Sequence, residues 1–295
     1  MSRKLILKWV DAFTSVPMLG NPCPVILNAE GLSPKLMQRI TKEMNQPETA
    51  FLMPSKSCDL RARYFTPETE IPLAGHPTIA SIHAAMEAKL ISPGGRALIR
   101  LELNEGPIMV QIAKRGTKTL IKMFQRKPLF LQTHKPSEVL PLFGLNRSDL
   151  LPGTLIQTVS TGTRQLMVAL RSLASLRKLR MDVDGYRLYR RRMNFFSPHF
   201  FCLLSRGATA RTFARHLGVP PDTMEDAFTG SATGGMAAYL WKYGLLKKPI
   251  FIAEQGDWMG RPGRAVVEVV GPRDEIESVA VGGEAVTLMD GTLTI

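Results

Sequence analysis

Two stretches of this 295-residue chain place polar, chemistry-bearing residues at the mouths of helices that are otherwise nearly all apolar. In TPETEIPLAGHPTIASIHAAMEAKL, residues 66–90, Gly75 and His76 open a run in which only Ser81, His83, Glu87 and Lys89 interrupt Ile, Ala, Met and Leu after Thr78. In EDAFTGSATGGMAAYLWKYG, residues 225–244, Asp226, Gly230 and Ser231 precede a run with no charge before Lys242. A helix apolar nearly all round is buried. Its first amide N–H groups lack intrahelical partners, and its dipole adds roughly half a positive charge there. Each mouth is therefore suited to hold a carboxylate or another anion. Two such mouths in one chain point to one site.

The elements that position these mouths repeat. Superposing AGHPTIASIHAAM on TGSATGGMAAYLW pairs Gly75 with Gly230, His76 with Ser231 and Thr78 with Thr233. The shared plan predicts two related halves, joined near residues 116–154, where Gly116, Pro128, Pro136, Pro141 and Pro152 fall among polar residues. Strand patterns dominate both halves: KLILKWVDAF, PVILN, TAFLMP, LRARYFT, LIRLELN and IMVQIAK, then TLIQTVS, QLMVAL, RMNFF, FFCLLS, IFIAE and AVVEVV. The tail AVTLMDGTLTI predicts a hairpin turning at Asp290-Gly291. Helices are expected over 76–90 and 231–243. A third, amphipathic one is capped by Ser33, carries Pro34 in its first turn, and ends before Pro47.

Composition excludes several function classes. The longest apolar runs fall short of the eighteen or so residues that span a bilayer, and MSRKLILKWVDAF has too short an apolar core for a signal peptide, so a cytoplasmic protein without a membrane partner is expected. The net charge of +13 raises nucleic acid as a partner, and residues 164–192 interleave Arg with Tyr and Phe. No nucleic-acid-binding spacing accompanies that charge, so this class is disfavoured. Cys23, Cys58 and Cys202 are odd in number, widely spaced and read as buried thiols. His76 and His83 lack a third metal ligand, and GSATGG lacks the Lys-Ser/Thr of a phosphate loop. His216, in HLGVP, has no catalytic partner nearby in the chain. No metal and no cofactor are expected.

The segments DAFTSVPMLGNPCPVIL, PETAFLMP, RYFTPETEIPLAGHPTIAS, EDAFTGSATGG and EQGDWMGRPGR resemble the successive motifs of the PhzF-like (phenazine biosynthesis) family, a relative of diaminopimelate epimerase and proline racemase. The resemblance implies an α+β fold of two pseudo-symmetric, diaminopimelate-epimerase-like lobes, each a curled mixed sheet around a central helix, with the active site in the cleft between them. Residues 1–120, completed by strands at about 284–295, would form the N-terminal lobe, and residues 121–283 the C-terminal one. It also implies that Glu48, by position an ordinary acid after a helix, is the proton-transferring residue. Pro47, Ala50 and Phe51 give it an apolar setting able to raise its pKa. His76 and Asp226 would bind and orient substrate, with Gly75, Gly230 and Ser231 at the facing helix mouths. The thiol pair of the epimerase and racemase relatives is missing from those mouths, and Ala227 stands where the family often has Pro.

The expected activity is a cofactor-independent isomerase moving a proton within a small carboxylate-bearing substrate. The alternative is a binding or regulatory protein of the same fold that uses its basic surface for an acidic partner. A homodimer is implied by the resemblance alone.

Overall fold

A computed structural model describes residues 2–92, 96–116, 118–205 and 210–295. Its helices are α1 (Pro34–Met44), α2 (Gly75–Glu87), α3 (Pro136–Val139), α4 (Leu173–Arg177), α5 (Val183–Met193) and α6 (Gly230–Lys242). The first eight strands are β1 (Lys4–Ala12), β2 (Asn21–Ile26), β3 (Thr49–Met53), β4 (Leu60–Phe65), β5 (Glu70–Ile71), β6 (Arg96–Glu102), β7 (Ile108–Arg115) and β8 (Lys118–Gln125). The remainder are β9 (Leu129–His134), β10 (Ile156–Ser160), β11 (Arg164–Ala169), β12 (Ser197–Ser205), β13 (Ala210–Leu217), β14 (Glu225–Asp226), β15 (Ile250–Gln255), β16 (Gly263–Val270), β17 (Ser278–Gly283) and β18 (Ala285–Thr294).

The strand pairings repeat. In the first lobe β1 is antiparallel to β2, β2 parallel to β3, β3 antiparallel to β4 and β4 parallel to β6, with β7 and β8 following antiparallel and β18 lying beside β1. The second lobe runs the same way through β10, β11, β12, β13, β15, β16 and β17, with β9 beside β10. In each lobe a two-residue strand, β5 or β14, pairs with the strand before it and leads into the buried helix. An antiparallel pairing of β8 with β17 joins the lobes. Helix α2 touches β1, β18 and β8, the two ends of its lobe's sheet, so that sheet is curled around it; α6 touches β10, β11, β16 and β17.

Both central helices contribute to one core, with Ile79, Ile82 and Ala84 from α2 and Met236, Ala237 and Leu240 from α6. Their glycines are there for packing. A Cβ on Gly75 would lie 2.3 Å from Gly230 Cα, and one on Gly235 would lie 2.7 Å from Met167 Cε. Gly75 and Gly230 lie outside the positive-φ set. What needs glycine at these corners is therefore the close approach of one helix to the other. Helix α1 forms as expected: Ser33 accepts a hydrogen bond from the Leu36 amide at 3.3 Å, and Asn45 ends the helix in the left-handed conformation.

Two strand expectations fail. RMNFF is not a strand, because Arg192 and Met193 end α5, Asn194 caps it at φ 49°, and the next strand starts at Ser197. Asp182 caps that helix, and Tyr186 and Tyr189, three residues apart, bury one face of it. Asp290-Gly291 is not a turn: β18 runs through it, with Lys8 opposite Asp290 and Leu7 opposite Gly291. All nine residues of β1 pair with β18 on both sides of Asp290-Gly291, so the backbone there is already held extended in one ladder. Among the described residues no helix is long and apolar enough to cross a membrane.

Candidate active site

Glu48 sits in the short connection between the left-handed end of α1 and the start of β3, which aims its side chain inward toward α2. The side chain is 16% exposed, and its Oε2 lies 3.3 Å from His76 Nδ1, at the second position of α2. Asn21, the first residue of β2, ties this pair to the other lobe: its Nδ2 lies 2.9 Å from His76 Nδ1, 2.7 Å from Asp226 Oδ1 and 2.8 Å from Phe228 O. That nitrogen carries two hydrogens. Asp226 and Phe228 offer acceptor oxygens, so those hydrogens are used there, and His76 Nδ1 lies between Asn21 and Glu48. The Thr229 hydroxyl donates to Asp226 Oδ2, and Gln255 Nε2 donates to Asp226 O at 2.7 Å.

Burial sets the protonation states. It pushes the Glu48 carboxyl well above the usual carboxylate range, and the negative charges of Asp226 and Asp222 push the same way. It drives His76 down to about 3, so the imidazole is neutral and the 3.3 Å contact with Glu48 is not an ion pair. Asp226 is also raised by burial, against the opposing hydrogen bonds from Thr229 and Asn21. A neutral imidazole beside a carboxyl with raised pKa is an arrangement in which the carboxyl can both accept and return a proton at ordinary pH.

The helix mouths differ from the starts of α1, α4 and α5. Ser33, Ser172 and Asp182 each cap a helix with a side-chain oxygen. Ala74 and Thr229, the caps of α2 and α6, make no such bond. The first amides of both central helices are thus without side-chain caps at the place where Gly75 meets Gly230. Glu48, Asp226 and Ser231 line one narrow pocket, shared with Thr163, Gln165, Ser197 and His216. His76, 2% exposed, contacts Glu48, and Gly75 and Gly230 meet where the two helices touch; none of these three lines the pocket. The structure therefore gathers all six residues singled out from the sequence.

Sequence reasoning passed over Asn21, Gln255 and His199. Asn21 and Gln255 sit inside quoted motifs, GNPCPV and EQGDW, where a fully buried polar residue gives no signal without its partners. His216 does have a partner, His199, seventeen residues away and opposite it across the sheet. His83 pairs with Glu87, away from this site, and among the described residues no group of three His, Cys, Asp or Glu could hold a metal ion. Cys23, Cys58 and Cys202 are free thiols, and none lines the pocket.

Residues 10–291 match the family profile of the phenazine biosynthesis-like proteins. The chain belongs to that family. This PhzF-family protein is 33% identical to an uncharacterized isomerase of Clostridium acetobutylicum, with both chains covered in full. It is 32% identical to the trans-2,3-dihydro-3-hydroxyanthranilate isomerase of Pseudomonas fluorescens, over 97% of this chain and 98% of that one. Its fold is similar to that of the PhzF-family phenazine biosynthesis protein of Bacillus anthracis, with a TM-score of 0.86, 29% identity, and coverage of 99% and 100% of the two chains. The PhzF-family chain is thus an enzyme of the isomerase and epimerase type.

Proposed function

We propose that this isomerase moves a proton between carbons of a small carboxylate-bearing substrate, with Glu48 as the carrier and no cofactor in the step. The observation that carries the reading is the placement of a buried, raised-pKa carboxyl in the same pocket as Ser231, at the mouth of an uncapped helix. The substrate carboxylate is held by the amides at the mouths of α2 and α6 and by Ser231. As carboxylate, Glu48 takes a proton from a carbon of the substrate. The C–H electron pair delocalises into the substrate's π system as an enolate-like anion, stabilised by the same helix ends. The neutral Glu48 carboxyl then returns the proton to a second carbon, so atoms and charge balance without oxidant or reductant. His76 and Asn21 orient Glu48, and Asp226, braced by Thr229 and Gln255, orients the substrate.

The surface charge fits an anionic substrate. A groove lined by Arg187, Arg190 and Arg191 adjoins the pocket through Glu68 and the segment that leads to Asp222, and it raises the local concentration of anions near the entrance. The first compound to test is trans-2,3-dihydro-3-hydroxyanthranilate, the substrate named for the Pseudomonas fluorescens relative. In deuterated water its product should carry deuterium at the newly protonated carbon, to the extent that Glu48 exchanges before returning its proton. Turnover of any verified substrate by Glu48→Gln at the wild-type rate would sink the mechanism.

A further inference from the structure

His216 stands in a row of three. In the antiparallel ladder it lies directly opposite His199 on β12 and, on its other side, opposite Asp226 on β14, so the three side chains share one face of the sheet. His199 is fully buried and His216 is 4% exposed. Their Nδ1 atoms face each other at 3.3 Å. His216 lines the pocket that contains Glu48, whereas His199 lies behind it.

This geometry fixes where the protons are. Burial pushes His216 down to about 3 and His199 well below its ordinary range, so each ring is neutral and carries one N–H. A hydrogen bond between two Nδ1 atoms needs one of them protonated and the other bare. If His216 Nδ1 carried the proton, His199 would hold its own on Nε2, an atom sealed from solvent and without a partner among the described residues. A buried N–H with no acceptor is rarer and costlier than a buried lone pair with no donor. The proton between the rings therefore belongs to His199 Nδ1, and His216 carries its own on Nε2. That atom has no hydrogen bond to a described residue, yet it is absent from the buried unpartnered atoms, which leaves it facing the pocket.

The first lobe supplies a comparison. Arg63 and Arg215 grip Glu70 and Glu225 in matching forks, so Tyr64 and His216, each next in the chain, occupy corresponding places. The Tyr64 hydroxyl is satisfied inside the lobe, 2.9 Å from Thr78 Oγ1. His216 has no such partner on its pocket side.

We propose that His216, locked by His199 as the Nε2–H tautomer, is a substrate-binding residue that donates a hydrogen bond to an acceptor oxygen of the substrate on the second-lobe wall of the pocket. The contact with substrate rests on the proposed function; the tautomer does not. His199 acts through His216 and is a positioning residue. A neutral donor here can bind a carboxylate, carbonyl or hydroxyl oxygen without adding charge beside Glu48.

The test uses the full-length protein labelled with ¹⁵N-histidine, with His216 assigned by loss of its signals in His216→Gln, and benzoate as the probe carboxylate. In the free protein at neutral pH, the ring should show a proton on Nε2 and a bare Nδ1. A proton on Nδ1, or an imidazolium, would overturn the proposal. In His199→Phe the His216 tautomer should become mixed, and an unchanged Nε2–H there would refute the locking role. On adding benzoate, the His216 Nε2 signal should shift. A shift at His76 with none at His216 would remove the contact, whereas silence at both would count against the anion site of the proposed function and leave the tautomer result standing. With a verified substrate, His216→Leu should raise KM about tenfold, the scale of one good hydrogen bond to a charged oxygen, while kcat changes little and His216→Gln recovers most of the loss. An equal fall in kcat for both variants would instead mark a structural role.

Discussion

The two lobes share a frame and differ in what they mount on it. Strand pairing, the Arg-Glu fork and the uncapped central helix occur in each. The reactive groups do not. Ala50 lies opposite Tyr64 as His199 lies opposite His216, so stepping back two residues sets Glu48 against Ser197. His76 at the second position of α2 is likewise matched by Ser231 in α6. One lobe thus carries the carboxyl and imidazole proposed to handle the proton, and the other offers hydroxyls, His216 and the braced Asp226. A racemase that deprotonates from one face and reprotonates from the other needs a base in each half. In the proposed mechanism Glu48 alone takes and returns the proton, while Asp226 and His216 of the second lobe bind substrate, which suits proton transfer on a single face.

The sharpest way to break that asymmetry is to remove the two matched residues in turn. Glu48→Gln keeps shape and hydrogen bonding, and should lower kcat by roughly a hundredfold or more with an unchanged circular dichroism spectrum. Ser197→Ala should stay within about threefold of wild type, since a surface or pocket-wall hydroxyl is typically worth under about 1 kcal/mol. Comparable losses in the two variants would mean that both halves contribute to proton transfer.

A second comparison concerns the point where the two central helices meet. Gly75→Ala places a methyl 2.3 Å from Gly230 Cα, and Gly230→Ala places one 2.8 Å from Gly75 Cα, backbone against backbone in both cases. Each should cost about 1–3 kcal/mol of stability, read by denaturant titration, with Gly75→Ala the worse. A variant as stable as wild type would show that the helices are free to separate.

The smallest effect is in the pH dependence of stability. His76 and His216, one per lobe, are both driven to about 3 by burial. For each, the native state binds fewer protons than the unfolded chain, so stability is complete above the unfolded value of about 6.5 and falls as pH drops toward 3. Glu48 has the opposite sign: its raised pKa means that stability declines as pH rises from the unfolded value of about 4.3 through its native one. Melting temperatures should therefore show a flatter acid limb for His216→Gln, while Glu48→Gln gains on wild type toward neutral pH. Parallel curves for Glu48→Gln and wild type would mean that the Glu48 carboxyl is not destabilised by its setting.

The helix mouths and the repeat were legible because unbroken apolar runs and small residues mark buried helices whatever surrounds them. Glu48 was legible only through family resemblance, since an acid after a helix looks the same whether the next strand turns it inward or outward. Asn21 and the His199–His216 pair were hidden for another reason: their meaning lies in atoms brought close by the sheet, at separations that no local pattern records. The same blindness explains the tail, where Asp290-Gly291 has the chemistry of a turn but β1 pairs with the strand on both sides of it.

That pairing of β18 with β1 bears on how the protein is made. The strand that flanks β1 emerges from the ribosome only after the whole second lobe, so the first lobe leaves synthesis with one edge of β1 open. That edge of β1 stays unpaired until β18, translated after the second lobe, takes its place beside it and closes the first lobe.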